Sequence, residues 1–168
     1  DAGGCTASVN VAVNEPLDAL SITATPTNVK CFAGNDGKIE ATATGGTSAY
    51  QFSINGGTPQ SGSVFNRLVA GTYTVSVIDG NECVATTTAT LTQPTQIAVT
   101  ATGSTIDCST PKGTITASAT GGIPTYQFAI DGSNFQPSGI FENLNGGTYT
   151  ITVKDANLCI GTITAAIT

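Results

Sequence analysis

Apolar and small polar residues alternate with a period of two along much of this chain. The clearest case is Gly71-Thr72-Tyr73-Thr74-Val75-Ser76-Val77, where Tyr73, Val75 and Val77 alternate with Thr and Ser. It returns as Tyr149, Ile151 and Val153 in Gly147–Val153. Such alternation predicts strands with one buried face. Further strands are predicted from Leu20 to Thr25, broken at Pro26, and from Lys38 to Thr44, where Ile39, Ala41 and Ala43 face one side. Tyr50–Ile54 ends in Asn55-Gly56, the strongest short-range hairpin signal, and has a twin in Tyr126–Ile130 followed by Asp131-Gly132. Val64, Phe65 and Leu68 are matched by Ile140, Phe141 and Leu144, and a last strand is predicted from Val84 to Thr92. About seven short strands per copy, with turn signals every eight to twelve residues or so, predict an all-β fold of tandem immunoglobulin-like β-sandwiches. Tyr73 and Tyr149 are then candidates for the tyrosine corner, in which the hydroxyl bonds back to nearby backbone.

The copies define the organisation. Asp1-Ala2-Gly3-Gly4-Cys5 through Glu15-Pro16 matches Asp79 through Pro94, and the pattern recurs from Asp155. Asp1, Asp79 and Asp155 are 78 and 76 residues apart. The expected division is 1–16 as the final strand of a preceding repeat, 17–94 as one repeat and 95–168 as the next. Proline-bearing joints fall at Glu15-Pro16-Leu17-Asp18 and Gln93-Pro94-Thr95-Gln96. A sandwich of roughly 75 residues buries only about 60–65% of its unfolded surface, so its core is marginal without a covalent staple.

The five cysteines follow the copies. Cys31 and Cys108 stand near the front, while Cys5, Cys83 and Cys159 stand near the back. The simplest expectation pairs Cys31 with Cys83 and Cys108 with Cys159, leaving Cys5 for an upstream repeat. Such staples imply an oxidising, extracellular compartment.

Taken in order, Cys31, Gly37 and Ile39, Gly45-Gly46, Tyr50 and Phe52, Phe65 and Leu68, Gly71-Thr72-Tyr73, Val77, Asp79 and Cys83 resemble the SprB-type repeat of gliding-bacterium surface adhesins. Cys108, Gly113 and Ile115, Gly121-Gly122, Tyr126 and Phe128, Phe141 and Leu144, Gly147-Thr148-Tyr149, Val153, Asp155 and Cys159 repeat the set. The resemblance departs where the family has Pro-Tyr after Gly-Gly, here Ala49-Tyr50 and Thr125-Tyr126. It departs again where the family has Gly before the second cysteine, here Glu82 and Leu158. It implies type IX secretion, a filament on a bacterial cell surface, and attachment to surfaces or polysaccharide during gliding.

Composition narrows the chemistry. A net charge of −6 with five scattered cations, Lys30, Lys38, Arg67, Lys112 and Lys154, argues against nucleic acid. No apolar run approaches the roughly 18 residues of a membrane-spanning helix. With no histidine, ordinary Ser-His-Asp and Cys-His machinery is absent, so no catalytic residue, cofactor or resident metal is expected. Calcium is the alternative weighed, for Glu15 and Asp18 at the first joint and for Asp36 or Asp79 in loops, against solvated acidic surface. The expected partners are adjacent repeats of the same polypeptide or filament, with surface polysaccharide as a candidate. Two other roles fit the pattern: a carbohydrate-binding or spacer module of a secreted enzyme, and a fibre subunit donating residues 1–14 as a strand.

Overall fold

The computed structural model describes Gly3, residues 8–11 and residues 18–168. Every regular element among them is a β-strand: β1 (Ser21–Thr27), β2 (Gly37–Thr44), β3 (Gln51–Ile54), β4 (Val64–Leu68), β5 (Gly71–Ile78), β6 (Val84–Leu91), β7 (Ala98–Gly103), β8 (Gly113–Thr120), β9 (Gln127–Ile130), β10 (Ser133–Gln136), β11 (Ile140–Leu144), β12 (Gly147–Lys154) and β13 (Ile160–Ile167). The protein is all-β, and no described helix is long and apolar enough to cross a membrane. The contacts divide it into two compact units, the first being Asp1–Ala24, Ala41–Ser63 and Tyr73–Thr88 and the second Thr25–Glu40, Val64–Thr72 and Ala89–Thr168.

The second unit contains β7 to β13 whole. Strands β11, β8 and β7 form one sheet in that order, and β10, β9, β12 and β13 form another. All pairings are antiparallel, with Ala98 opposite Thr120, Ile151 opposite both Ile163 and Ile130, and Val153 opposite Gly161 and Phe128. The alternation of apolar and polar positions puts Ile115 and Ala117 of β8, Phe128 of β9, Ile151 and Val153 of β12, and Ala165 and Ile167 of β13 into one core between these sheets. Strands one, two and five of this copy thus face strands three, four, six and seven, an immunoglobulin-like arrangement. On β12 the Tyr149 hydroxyl donates to Asn145 O at 3.0 Å, bonding back to the backbone four residues upstream.

In the first unit β3 pairs with β5, Phe52 opposite Val77 and Ile54 opposite Val75. Asn55 and Gly56 both take positive φ, 49° and 71°, and the Gly57 N–H closes the turn on Ile54 O at 2.9 Å. Asp131 and Gly132 repeat this at 53° and 73°. Beyond the turn the copies differ. Ser133–Gln136 forms β10, whereas the stretch holding Pro59 makes only an isolated Phe52–Gln60 bridge, so the described residues of the first copy form six strands and those of the second seven. Pro26, expected to end a strand, lies inside β1. That strand is at the edge of the order β1-β2-β4, where a missing N–H can face solvent. The side chains of Ile39, Val75 and Val77 are fully buried, as are those of Ile115, Ile151 and Val153 at the matching positions.

The strand register makes a direct prediction. Ile151→Ala removes a side chain with 0% exposure and should cost about 3 kcal/mol in chemical denaturation. Thr150→Ala, on the exposed face of the same strand, should cost under about 1 kcal/mol. Equal costs would mean that the register is wrong.

Candidate functional site

Each copy ends its central hairpin in a turn built around a buried aspartate. Asp155 is 3% exposed, and its Oδ1 accepts the N–H groups of Asn157 at 2.8 Å and Cys159 at 2.9 Å, while Oδ2 accepts the Ile123 N–H at 2.8 Å. Asp79 repeats the set with Asn81 at 2.9 Å, Cys83 at 2.8 Å and Thr47 at 2.8 Å. A carboxylate wrapped by backbone donors is held in its charged form, and the Thr47 N–H is the leading cause that keeps the Asp79 carboxyl below its ordinary pKa. Room for it comes from the second residue of the Gly-Gly pair. A Cβ on Gly122 would lie 2.6 Å from Asp155 Oδ2, at φ +59°, and one on Gly46 would lie 2.6 Å from Asp79 Oδ2. The turn residues were legible in the sequence. The reach of each aspartate to a loop 32 residues away was not, although the joint recurrence of Gly-Gly and Asp was its signal.

The Asp155 turn presents Cys159, which bonds to Cys31, with S–S 2.05 Å and Cα–Cα 5.5 Å. Around this bond the Asn157 side chain donates to Lys30 O at 3.0 Å, and Cys159 Sγ lies 3.3 Å from the same oxygen. The Ala33 N–H donates to the Gln93 side chain at 2.8 Å, fastening the Cys31 loop to the proline joint. A cleft of about 160 Å³ opens beside the bond, lined by Phe32, Pro94, Gln96, Ile97 and Ile160 among others. Closing 128 residues of chain restricts the unfolded ensemble by about 5 kcal/mol on a chain-entropy account.

This corrects the expected pairing. Cys31 does not bond Cys83, and Cys108 does not bond Cys159; Cys83 and Cys108 are exposed free thiols. Strand length is the reason. Cys159 immediately precedes β13, whereas Cys108 comes two residues after Ile106, whose N–H donates to Thr168 O beyond the far end of that strand. Eight residues at about 3.3 Å each place the two cysteines roughly 25 Å apart, against about 4.4–6.8 Å between the Cα atoms of a disulfide. The first copy is built alike, with the Val29 N–H on Thr92 O at 3.1 Å beyond the end of β6. Position in the sequence showed which cysteines were equivalent. It did not show that front and back cysteines lie at opposite ends of a strand.

The remaining candidates gather into no site. Cys5, Glu15 and residues 1–2, 4–7 and 12–17 lie outside the described residues, and with them most of the candidate donor strand. Asp36 Oδ1 accepts the Lys30 N–H at 3.1 Å, and both Asp79 oxygens hold backbone donors. Among the described residues no three acidic or cysteine side chains gather as a metal site would require. Two hydroxyls that sequence reasoning overlooked bond back to the glycine turns: Tyr50 to Gly45 O at 2.6 Å and Tyr126 to Gly121 O at 2.5 Å. Phe32, 46% exposed and beside the cleft, is the one aromatic among the described residues on open surface.

Residues 23–59 match the SprB repeat family model. No curated protein matches the chain. Among solved structures, one described as "Structural basis for Dscam isoform specificity" is similar at 15% identity and TM-score 0.31, over 88% of this chain and 46% of that one. A β-glycosidase from Bacteroides vulgatus is similar at 15% identity and TM-score 0.29, over 89% of this chain and 25% of its own. The chain spans less than half the length of either.

Two predictions test the turn. Glu82 and Leu158 occupy left-handed backbone, φ 65° and 66°, which explains why glycine suits the position before the cysteine. Leu158→Gly should therefore stabilise the protein by about 0.5–1 kcal/mol in denaturant titration, and a loss of stability would show the strain to be absent. Because its folded pKa is depressed, Asp79 contributes stability above the ordinary aspartate range, and that contribution is lost as pH falls through the folded value. Carboxyl NMR of the native protein should give Asp79 a midpoint below the roughly 3.9 of a free aspartate. A midpoint at or above that value would contradict the wrapped carboxylate.

Proposed function

We propose that this chain is a segment of a bacterial cell-surface adhesin or filament, in which tandem repeats provide reach and attachment and disulfides hold successive copies together under load. The expected repeats, 17–94 and 95–168, are its units. The observation that carries the reading is the Cys31–Cys159 bond, which connects the front cysteine of one copy to the back cysteine of the next. A bond placed there carries tension from copy to copy. The SprB match at residues 23–59 supports a surface location and secretion for gliding-type attachment, and the acidic, cysteine-bearing composition agrees with export. Contact with a surface polysaccharide would be weak per copy and multiplied by repetition. The buried aspartates spend their oxygens on backbone donors, which favours a mechanical role over catalysis.

Two measurements test this. Antibody to the chain should label intact, unpermeabilised cells, and protease shaving should remove the signal; labelling only after lysis would defeat the surface reading. In single-molecule pulling the 128-residue span between Cys31 and Cys159 should stay locked until a reductant is added, which then releases about 46 nm of contour at about 3.6 Å per residue. An unchanged contour length would remove the load-bearing role of the bond.

A further inference from the structure

The two free thiols are the unmatched halves of a joint like that between Cys31 and Cys159. Cys83 stands where Cys159 stands, after a buried aspartate whose Oδ1 takes its N–H, and Cys108 stands where Cys31 stands, two residues beyond the residue that bonds the last strand's end. Among the described residues one cysteine of each type is bonded to the other type, and the remaining one of each type is exposed. From this we infer that Cys83 and Cys108 are docking thiols, each accepting another repeat of the same kind. Cys83 takes a front cysteine and Cys108 takes a back cysteine, so the joint propagates from repeat to repeat. The inference deepens the array reading and rests on it.

The surroundings of the thiols are prepared for this. Asn157 gives its amide to the carbonyl before the front cysteine, while Asn81, its equivalent, rests on Thr47 Oγ1 at 2.9 Å. In a second joint Asn81 would turn to the partner's carbonyl. The Cys108 loop is held by Asp107, whose Oδ1 accepts the N–H and hydroxyl of both Ser109 and Thr110. Neighbouring charge sets the preferred partner. In the joint that forms, Lys30 precedes the front cysteine and Leu158 the back one, whereas Glu82 precedes Cys83 and Asp107 precedes Cys108. Cys83 therefore suits a front cysteine preceded by a cation, and Cys108 a back cysteine preceded by an uncharged residue.

Bond formation is ordinary thiol–disulfide exchange with a low-molecular-weight disulfide as oxidant. One protein thiolate attacks the oxidant's S–S bond and releases one thiol. The second protein thiolate then attacks the mixed disulfide and releases the other, so two protein thiols are oxidised as one small disulfide is reduced to two thiols.

The test uses the full chain in two forms that keep Cys31–Cys159: Cys5→Ser with Cys108→Ser, exposing only Cys83, and Cys5→Ser with Cys83→Ser, exposing only Cys108. One form is isotope-labelled, the two are mixed with glutathione disulfide, and dimers are read by mass and peptide mapping. Heterodimers through Cys83–Cys108 should exceed either homodimer about tenfold, which is about fivefold over the statistical ratio and a preference of about 1 kcal/mol. Asp107→Lys should raise their share further at low salt, with the gain fading as salt is added. Asn81→Ala should lower it while leaving the reaction of Cys83 with glutathione unchanged. A statistical mixture, in which heterodimers are only twice either homodimer, or glutathione adducts alone, would overturn the inference. Cell-surface labelling is untouched by either result, so the array reading fails or stands separately.

Discussion

The length of one strand decides how this molecule is held together. In the second copy the front and back cysteines sit beyond opposite ends of β13, too far apart for any disulfide, and Cys159 bonds Cys31 instead. A cysteine pattern that looks like one staple per copy therefore yields a bond between cysteines of different sequence copies, both held in one compact unit. That bond spans 128 residues, far more chain than the expected pairs would have closed.

The aspartate turn makes that link possible. A cysteine at a hairpin tip can bond only if the tip is held still, and three backbone N–H groups on one buried carboxylate do this with no salt bridge. The second glycine of each pair makes room for the carboxylate, since a Cβ on Gly122 would collide with it, while a Cβ on the first would strike the Gln96 or Ala19 carbonyl. The tyrosine hydroxyls of Tyr50 and Tyr126 bond carbonyls of the same glycine turns. Gly-Gly, Tyr, Asp and Cys thus recur together because they build a single structural device, and each of them loses its purpose if another is removed.

The two copies are alike in their cores and differ at their ends. Ile39, Val75 and Val77 match Ile115, Ile151 and Val153 in type and burial, as an alternating strand in a closed core demands. At the tips Lys30 becomes Asp107, Thr47 becomes Ile123 and Glu82 becomes Leu158. Core positions are constrained by packing density, whereas tip positions answer to whatever they meet.

The sequence alone determined the all-β class, most strand positions, the Asn-Gly and Asp-Gly turns, the buried faces of β5 and β12, and the equivalence of the cysteines. These rest on local periodicity and turn chemistry, which need no knowledge of distant neighbours. It erred at Pro26, because whether a proline fits a strand depends on that strand lying at a sheet edge. The pairing of Cys31 with Cys159 was decided by tertiary structure alone. Periodicity gives a residue's face on its strand and its place in a repeat, but which end of a strand meets which loop depends on how the sheets close and how successive copies join.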